Sequence, residues 1–122
     1  MSGLEFIMAA RAFAGERFSG KSVSLDLGRR IVNRAVVGGE SPEDPFVNGE
    51  TIYAYTAIAG YAGFVEHVWS RDGEEVARHY MPVGDDRQWR TWSRHRLTRG
   101  EYTVDVFAPD GKRLASKRFT AF

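Results

Sequence analysis

From Ser22 to its end, the chain alternates apolar and polar residues in short segments that are separated by turn residues. The clearest segment is 101–107, in which a tyrosine and two valines alternate with polar neighbours. This period of two is that of a β-strand with one buried face. Turn sequences such as Asp72-Gly73 divide the chain into about eight such segments, at spacings of roughly 8–12 residues. The pattern therefore predicts an all-β sandwich or small barrel of antiparallel strands.

The predicted strands are 22–27, 30–37, 51–59, 64–70, 75–81, 88–94, 101–107 and 112–122. Residues 38–45 hold two glycines and two prolines, which interrupt strand pairing and predict a loop. In the N-terminal segment, apolar residues fall near helical spacing, so we expect a short helix or a tail. The predicted organisation is an N-terminal helix or tail at 1–20 and one β domain at 21–122.

Length and composition fit one globular domain and exclude several kinds of site. The chain has 122 residues, a net charge of +1 and no cysteine. The lack of cysteine excludes disulfides, thiol nucleophiles and thiolate metal sites. No run of about 18 apolar residues occurs, and the apolar stretch 4–10 lacks a preceding basic region, so we expect neither a transmembrane helix nor a secretory signal. The small net charge leads us to expect no nucleic-acid partner, and it assigns neither a cytoplasmic nor an envelope location.

Segment 87–96 carries two of the three tryptophans and four arginines. Because tryptophan buries a large area, we predict that Trp69 and Trp92 fill the core between two sheets. Trp89 lies three residues before Trp92, so strand alternation puts it on the opposite face and predicts that it is exposed. The same alternation puts Arg90 and Arg94 on the face of Trp92.

Several motifs of this part of the chain follow one another in an order that a known family shares. They are His67-Val68-Trp69, Asp72-Gly73, Trp89-Arg90-Thr91-Trp92-Ser93, Gly100-Glu101-Tyr102-Thr103-Val104-Asp105-Val106, Asp110-Gly111 and Phe119. This order resembles DUF2914, a bacterial domain family of unknown function, over roughly residues 33–122. The resemblance implies an immunoglobulin-like β-sandwich of about seven or eight strands. Such domains are expected alone or appended to other, often envelope-associated, domains, and the resemblance implies no established activity.

His67 shares a predicted strand face with Trp69 and is the main candidate for chemistry. A functional His67 would act as a general base or a ligand, whereas a structural one would be buried and hydrogen-bonded to Ser93, Tyr80 or a backbone carbonyl. We expect the structural role, because no nucleophile stands in a recognisable motif with it. The predicted structural network consists of His67, Trp69, Arg90, Trp92 and Ser93. We expect no metal or other cofactor, although three histidines and the acidic loop at 40–44 offer ligand types for zinc and calcium.

Exposed aromatic and cationic residues form a predicted contact surface. Its members are Tyr61, Arg87, Trp89, Arg94 and His95. An exposed tryptophan such as Trp89 stacks on a sugar or anchors a protein partner, and the alternative is a surface tryptophan covered by arginines through cation–π contact. The arginines of this region form either a basic ridge for a polyanion or a solvated face.

These observations favour a non-catalytic binding or interaction module that recognises an envelope glycan or a protein partner. Two alternatives stay open. The first is a small hydrolase or lyase that uses His67. The second is a structural or oligomerisation domain, in which an edge strand at 23–27 or 112–122 pairs with a second chain to form a homodimer.

Overall fold

The computed structural model describes residues 21–84 and 88–122, which form nine β-strands. The strands are β1 (Ser22–Gly28), β2 (Arg30–Val32), β3 (Ala35–Val37), β4 (Thr51–Ala59), β5 (Gly63–Arg71), β6 (Glu74–Val83), β7 (Trp89–Arg96), β8 (Gly100–Phe107) and β9 (Arg113–Ala121). Within the described residues, no helix is long and apolar enough to cross a membrane. The predicted N-terminal helix or tail at 1–20 lies outside the described residues.

Seven strands form two antiparallel sheets, and the other two form a small hairpin. The first sheet has the order β1-β4-β7 and the second has the order β6-β5-β8-β9. Strands β2 and β3 pair only with each other among the described strands. The two sheets pack face to face, so the all-β sandwich that the alternating pattern predicts is confirmed. Strands β1 and β9 lie at sheet edges, as predicted, and so do β6 and β7.

The core lies between the inward faces of the two sheets. On β5 the residues Val65, His67 and Trp69 are fully buried, and on β8 the residues Val104 and Val106 are fully buried. These residues alternate with outward-facing neighbours, as a period of two requires. The predicted core position of Trp69 is therefore confirmed.

Tyr102, near the start of β8, attaches this strand to the turn that precedes it. Its ring is buried and stacks on Phe119 with ring centroids 5.1 Å apart. Its hydroxyl oxygen accepts a hydrogen bond of 3.0 Å from the backbone N–H of Thr98. A tryptophan at this position would carry an N–H donor and no oxygen acceptor. Tyr102 therefore makes a contact that a tryptophan would lose.

The segment 30–37 is not the single strand that its composition predicts. It forms the hairpin of β2 and β3, which reverses at Asn33 and Arg34 with φ angles of 51° and 62°. Two successive residues with positive φ are typical of the tight turns that join twisted strands, and asparagine tolerates this conformation better than most residues. No glycine marks the turn, which is why the sequence pattern did not reveal it.

The predicted core position of Trp92 is wrong. Strand β7 pairs with β4 so that Ser93 lies opposite Ala54 and Trp92 lies opposite Tyr55. Ala54 and Ser93 are buried in the core, so Trp92 lies on the outer face of the sheet, where it is half-buried. The face of β7 is decided by its polar residues, because Ser93 satisfies buried hydrogen-bonding groups of the opposite sheet. Trp89 lies on the other face from Trp92, as predicted, and it is 39% exposed at the start of the strand.

Arg29 holds the predicted loop at 38–45 against the end of the sandwich. Its guanidinium donates to the backbone carbonyls of Gly38, Gly39, Asp44 and Pro45 at 3.0–3.1 Å. It also pairs with the carboxylates of Glu50 at 2.8 Å and Asp44 at 3.3 Å, and it lies over the ring of Phe46. The bond from Arg29 lowers the pKa of the Glu50 carboxyl group. The loop is thus built around one side chain that the sequence did not single out.

Candidate functional site

A buried polar cluster joins the two sheets through the side chain of His67. Its Nδ1 lies 2.7 Å from Ser93 Oγ, and its Nε2 lies 2.6 Å from Thr56 Oγ1. The indole Nε1–H of Trp69 donates to the same Ser93 Oγ at 3.1 Å. Of the alternative partners considered for a structural His67, Ser93 is the one that bonds to it, and Thr56 is the partner that the sequence did not reveal. Strands β4 and β7 supply the hydroxyl groups, and β5 supplies the two rings.

The cluster keeps His67 neutral. Burial, with a smaller contribution from the neighbouring His79, lowers the pKa of His67 to about 3. A neutral imidazole has one donor and one acceptor nitrogen, and the two hydroxyl groups complement either tautomer. Because His67 is fully buried and both ring nitrogens are occupied, its contacts are those of a structural residue.

Two more histidines lie near His67 without forming a metal site. His79 is the direct neighbour of His67 across β6 and β5, and its buried Nε2 has no hydrogen-bond partner among the described residues. The ring of His95 lies 5.4 Å from the ring of Trp69 and 5.8 Å from that of Tyr102. Burial lowers the pKa of His95, with smaller effects from His79 and Arg71. The described residues contain no group of three or more ligand side chains that could hold a metal ion.

The predicted contact surface is not brought together by the fold. Arg94 lies opposite Tyr53 on the outer face of the first sheet, whereas His95 lies opposite Ile52 on the core face. Tyr61 is half-buried between β4 and β5, and the ammonium of Lys21 lies 5.2 Å from the centre of its ring. Trp89 shares the core-side face with His95, and Arg87 lies outside the described residues. The predicted members therefore occupy at least two faces of the sandwich.

Arg90 and Trp92 belong to the outer face of β7 and not to the buried network in which they were predicted. That face carries one continuous row of side chains, the arginine–tryptophan row, which consists of Arg90, Trp92, Arg94 and Arg96. They share a face because they are alternate residues of one strand. The indole of Trp92 stacks on the ring of Tyr55 with ring centroids 5.7 Å apart and an angle of 9° between the rings.

The stack is held in place by the hairpin of β2 and β3. The hydroxyl of Tyr55 donates a hydrogen bond to the backbone carbonyl of Arg34 in the turn of that hairpin. Tyr55 is only 7% exposed and stacks against Trp92 from the neighbouring strand, while one part of the indole stays open to solvent. Tyr55 and the hairpin are parts of this site that sequence reasoning missed. The common face of Tyr53 and Tyr55 was visible in the alternation of β4, but its pairing with Trp92 depends on long-range register.

The row is strongly cationic. The three arginines are exposed, and their side chains have no ion-pair or hydrogen-bond partner within the described residues. Three other arginines form ion pairs, namely Arg29 with Glu50, Arg78 with Glu66 and Glu75, and Arg113 with Asp105. An unpaired guanidinium presents several donors in a plane that matches a carboxylate or phosphate group. The row therefore combines a fixed aromatic surface with free cationic donors.

Comparison with known proteins finds similarity to a family over part of the chain and finds no activity. The family described as "Protein of unknown function (DUF2914)" matches residues 64–121. No curated protein matches the chain. The matched span runs from the second residue of β5 to the last residue of β9, and it contains the arginine–tryptophan row. The resemblance seen in the tryptophan motifs is confirmed: over residues 64–121, this chain carries the sequence pattern of the DUF2914 family.

Proposed function

We propose that this domain is a non-catalytic binding module and that the arginine–tryptophan row is its contact surface. The observation that carries this proposal is the Tyr55–Trp92 stack, which lies on an outer sheet face between unpaired arginines. A half-buried tryptophan that is held by a second ring loses little conformational freedom when a ligand covers it. Tryptophan and arginine are also the residues that contribute most at recognition surfaces.

Two kinds of ligand suit this surface. An envelope glycan with acidic groups would stack a sugar ring on Trp92 and place its carboxylates or phosphates on Arg90 and Arg94. A protein partner would use the same indole as an anchor and the same arginines for acidic side chains. Both contacts would lose strength with added salt, because exposed ion pairs are screened.

We further propose that the sandwich is immunoglobulin-like. In support, the sheet orders β1-β4-β7 and β6-β5-β8-β9 correspond to strands A-B-E and C′-C-F-G of that fold. A buried tryptophan on strand C is typical of it, and Trp69 lies on β5. A tyrosine near the start of strand F that bonds back to the preceding turn is also typical, and Tyr102 bonds to the N–H of Thr98.

The hydrolase or lyase alternative receives no support from His67. Its ring is fully buried, and both nitrogens contact hydroxyl groups of the core. A general base needs an atom within hydrogen-bond reach of the substrate. The observations around His67 support the packing of the two sheets instead.

A fluorescence titration tests the proposed function. The domain is titrated with a panel of bacterial envelope glycans and with envelope protein fractions, while tryptophan emission is recorded. We expect a saturable change that disappears in Trp92→Ala and persists in Trp89→Ala, because Trp89 lies on the other face of β7. A change that persists in Trp92→Ala, or no change with any ligand, would contradict the proposal.

A further inference from the structure

Strand β7 is an edge strand, so its backbone is hydrogen-bonded to a neighbouring described strand on one side only. Among the described strands it is hydrogen-bonded to β4 alone, with a regular register from Trp89 opposite Ile58 to Arg96 opposite Thr51. Its eight residues span about 27 Å of extended backbone, with about 3.4 Å for each residue. The backbone N–H and C=O groups on its free edge can form hydrogen bonds with a further strand.

Two of the other edge strands, β6 and β9, are less suited to this pairing, whereas β1 pairs with β4 in a regular register, as β7 does. Strand β6 contains Pro82, which lacks an N–H donor, and its register with β5 shifts between Trp69 and Ser70. The register of β9 with β8 also shifts, between Val106 and Phe107. Prolines and bulges are devices that protect sheet edges from unwanted pairing. Strand β7 contains neither within the described residues.

A constant-type immunoglobulin sandwich has a fourth strand in the corresponding sheet, in the order A-B-E-D. The sheet of this domain has three strands, and β7 occupies the position of strand E. The free edge of β7 is therefore the place at which strand D pairs in that fold. This correspondence indicates that a strand added there is compatible with the sandwich.

The charges on β7 select the occupant of that edge. Arg90, Arg94 and Arg96 have no partner within the described residues. Antiparallel pairing of β7 with β7 of a second copy, centred on Trp92, would place Arg90 opposite Arg94, and like charges in directly opposed positions are destabilising. An extended segment with acidic residues at alternate positions would instead place carboxylates next to each guanidinium. The apolar residues between the carboxylates would lie on the other, core-side face, beside Thr91 and Ser93.

From the free edge and the unpaired arginines we infer that the ligand of this site is an acidic, extended segment of a partner protein, which adds to the first sheet as a strand beside β7. This inference rests on the proposed function and specifies its ligand. The backbone of the segment pairs with β7, and its carboxylates pair with the row. The alternation of Arg90, Trp92 and Arg94 has the same period as the added strand.

Defined peptides test the inference by isothermal titration calorimetry at low and moderate salt. The probe is a ten-residue peptide of alternating glutamate and valine with blocked ends. The first control is a pair of N-methylated peptides, one methylated at every glutamate and the other at every valine. Because alternate N–H groups of an extended segment point to opposite sides, one of these two peptides cannot donate hydrogen bonds to β7. The second control replaces each glutamate by lysine.

We expect the acidic peptide to bind, one N-methylated peptide to lose at least tenfold in affinity, and the lysine peptide not to bind. The double variant Arg90→Gln and Arg94→Gln should bind the acidic peptide with an affinity at least tenfold lower. The charge-matched variant Lys117→Gln and Arg118→Gln, on β9, should retain the affinity.

Equal binding of both N-methylated peptides would overturn strand addition, although the row would remain a binding surface. Binding of an acidic polysaccharide or of single-stranded DNA, without binding of the acidic peptide, would overturn the inference and leave the proposed function standing if it depended on Trp92. No binding by any of these probes, together with a negative glycan and envelope titration, would overturn both.

Discussion

Ser93 Oγ lies 2.7 Å from Nδ1 of His67 and thereby joins the two sheets through a fully buried hydrogen bond. The same oxygen accepts the indole N–H of Trp69. One small hydroxyl thus satisfies two large rings of the opposite sheet. Because a buried polar group without a partner is costly, this oxygen decides which face of β7 turns inward.

Replacing Ser93 by alanine removes only one hydroxyl group, but it should lower the free energy of unfolding strongly. The substitution leaves the indole N–H of Trp69 and Nδ1 of His67 without partners, and each unsatisfied buried group costs about 1–3 kcal/mol. Urea denaturation of Ser93→Ala and of the surface control Ser116→Ala measures the difference. An equal free energy of unfolding for both variants would show that the buried hydroxyl contributes no stability.

The stability of the domain should fall as the pH falls below about 6.5. In the folded state the pKa of His67 is about 3, whereas the unfolded residue has a pKa of 6.5. Between these values the unfolded state binds more protons, so the free energy of unfolding decreases by about 1.4 kcal/mol for each pH unit below 6.5. Denaturation between pH 5.0 and 7.5 measures this slope.

The control for the pH dependence is His67→Gln, whose amide supplies a donor and an acceptor but does not titrate. This variant should be less stable at pH 7 and show a shallower slope between pH 5.0 and 6.5. The lowered pKa of His95 leaves a residual slope in both proteins. Identical slopes in the two proteins would show that the pKa of His67 is not lowered in the folded state.

Tyr102→Phe should lower the free energy of unfolding by about 1 kcal/mol. The substitution keeps the stack on Phe119 and removes only the acceptor of the Thr98 N–H. Tyr80→Phe is the control, because Tyr80 is 63% exposed on the outer face of the second sheet. If the two variants are equally stable, the hydroxyl of Tyr102 does not hold the turn.

Arg29→Lys should loosen the loop at 38–45. A lysine cannot reach the four carbonyls and two carboxylates that one guanidinium contacts, and hydrogen bonds of charged groups contribute about 1.5–3 kcal/mol each. Amide hydrogen exchange should accelerate in this loop and remain unchanged in β5 and β8. Arg30→Lys, at an exposed neighbouring position, is the control. Protection of the loop that survives in Arg29→Lys would show that the loop is held by other contacts.

The sequence predicted the strands well because their signal is local. The alternation in β4, β5 and β8 reveals which residues share a face, and on β5 and β8 the apolar set is clearly the inward one. On β7 the signal is ambiguous, since both faces carry a tryptophan. The choice between Trp89 and Trp92 depends on Ser93 and His95, whose partners lie on other strands and are invisible in the local pattern.

The site was predicted only in part for the same reason. The sequence identified Trp92, Arg90 and Arg94 as residues of one face, and this is confirmed by the register with β4. It did not identify the stack on Tyr55 or the hairpin that fixes it, because both depend on contacts across more than twenty positions. Arg29 was missed because a single arginine before a loop has no local signature.

The most direct test of the central claim is a two-dimensional ¹H–¹⁵N NMR titration, in which each of the three tryptophans gives one indole N–H signal. Envelope glycans, envelope protein fractions and the acidic peptide are the ligands. The account predicts that the signal of Trp92 and the backbone amides of β7 shift, while the buried indole of Trp69 stays unchanged. Shifts that avoid β7 and cluster on another surface, such as the loop at 38–45, would contradict the assignment of the arginine–tryptophan row as the recognition site.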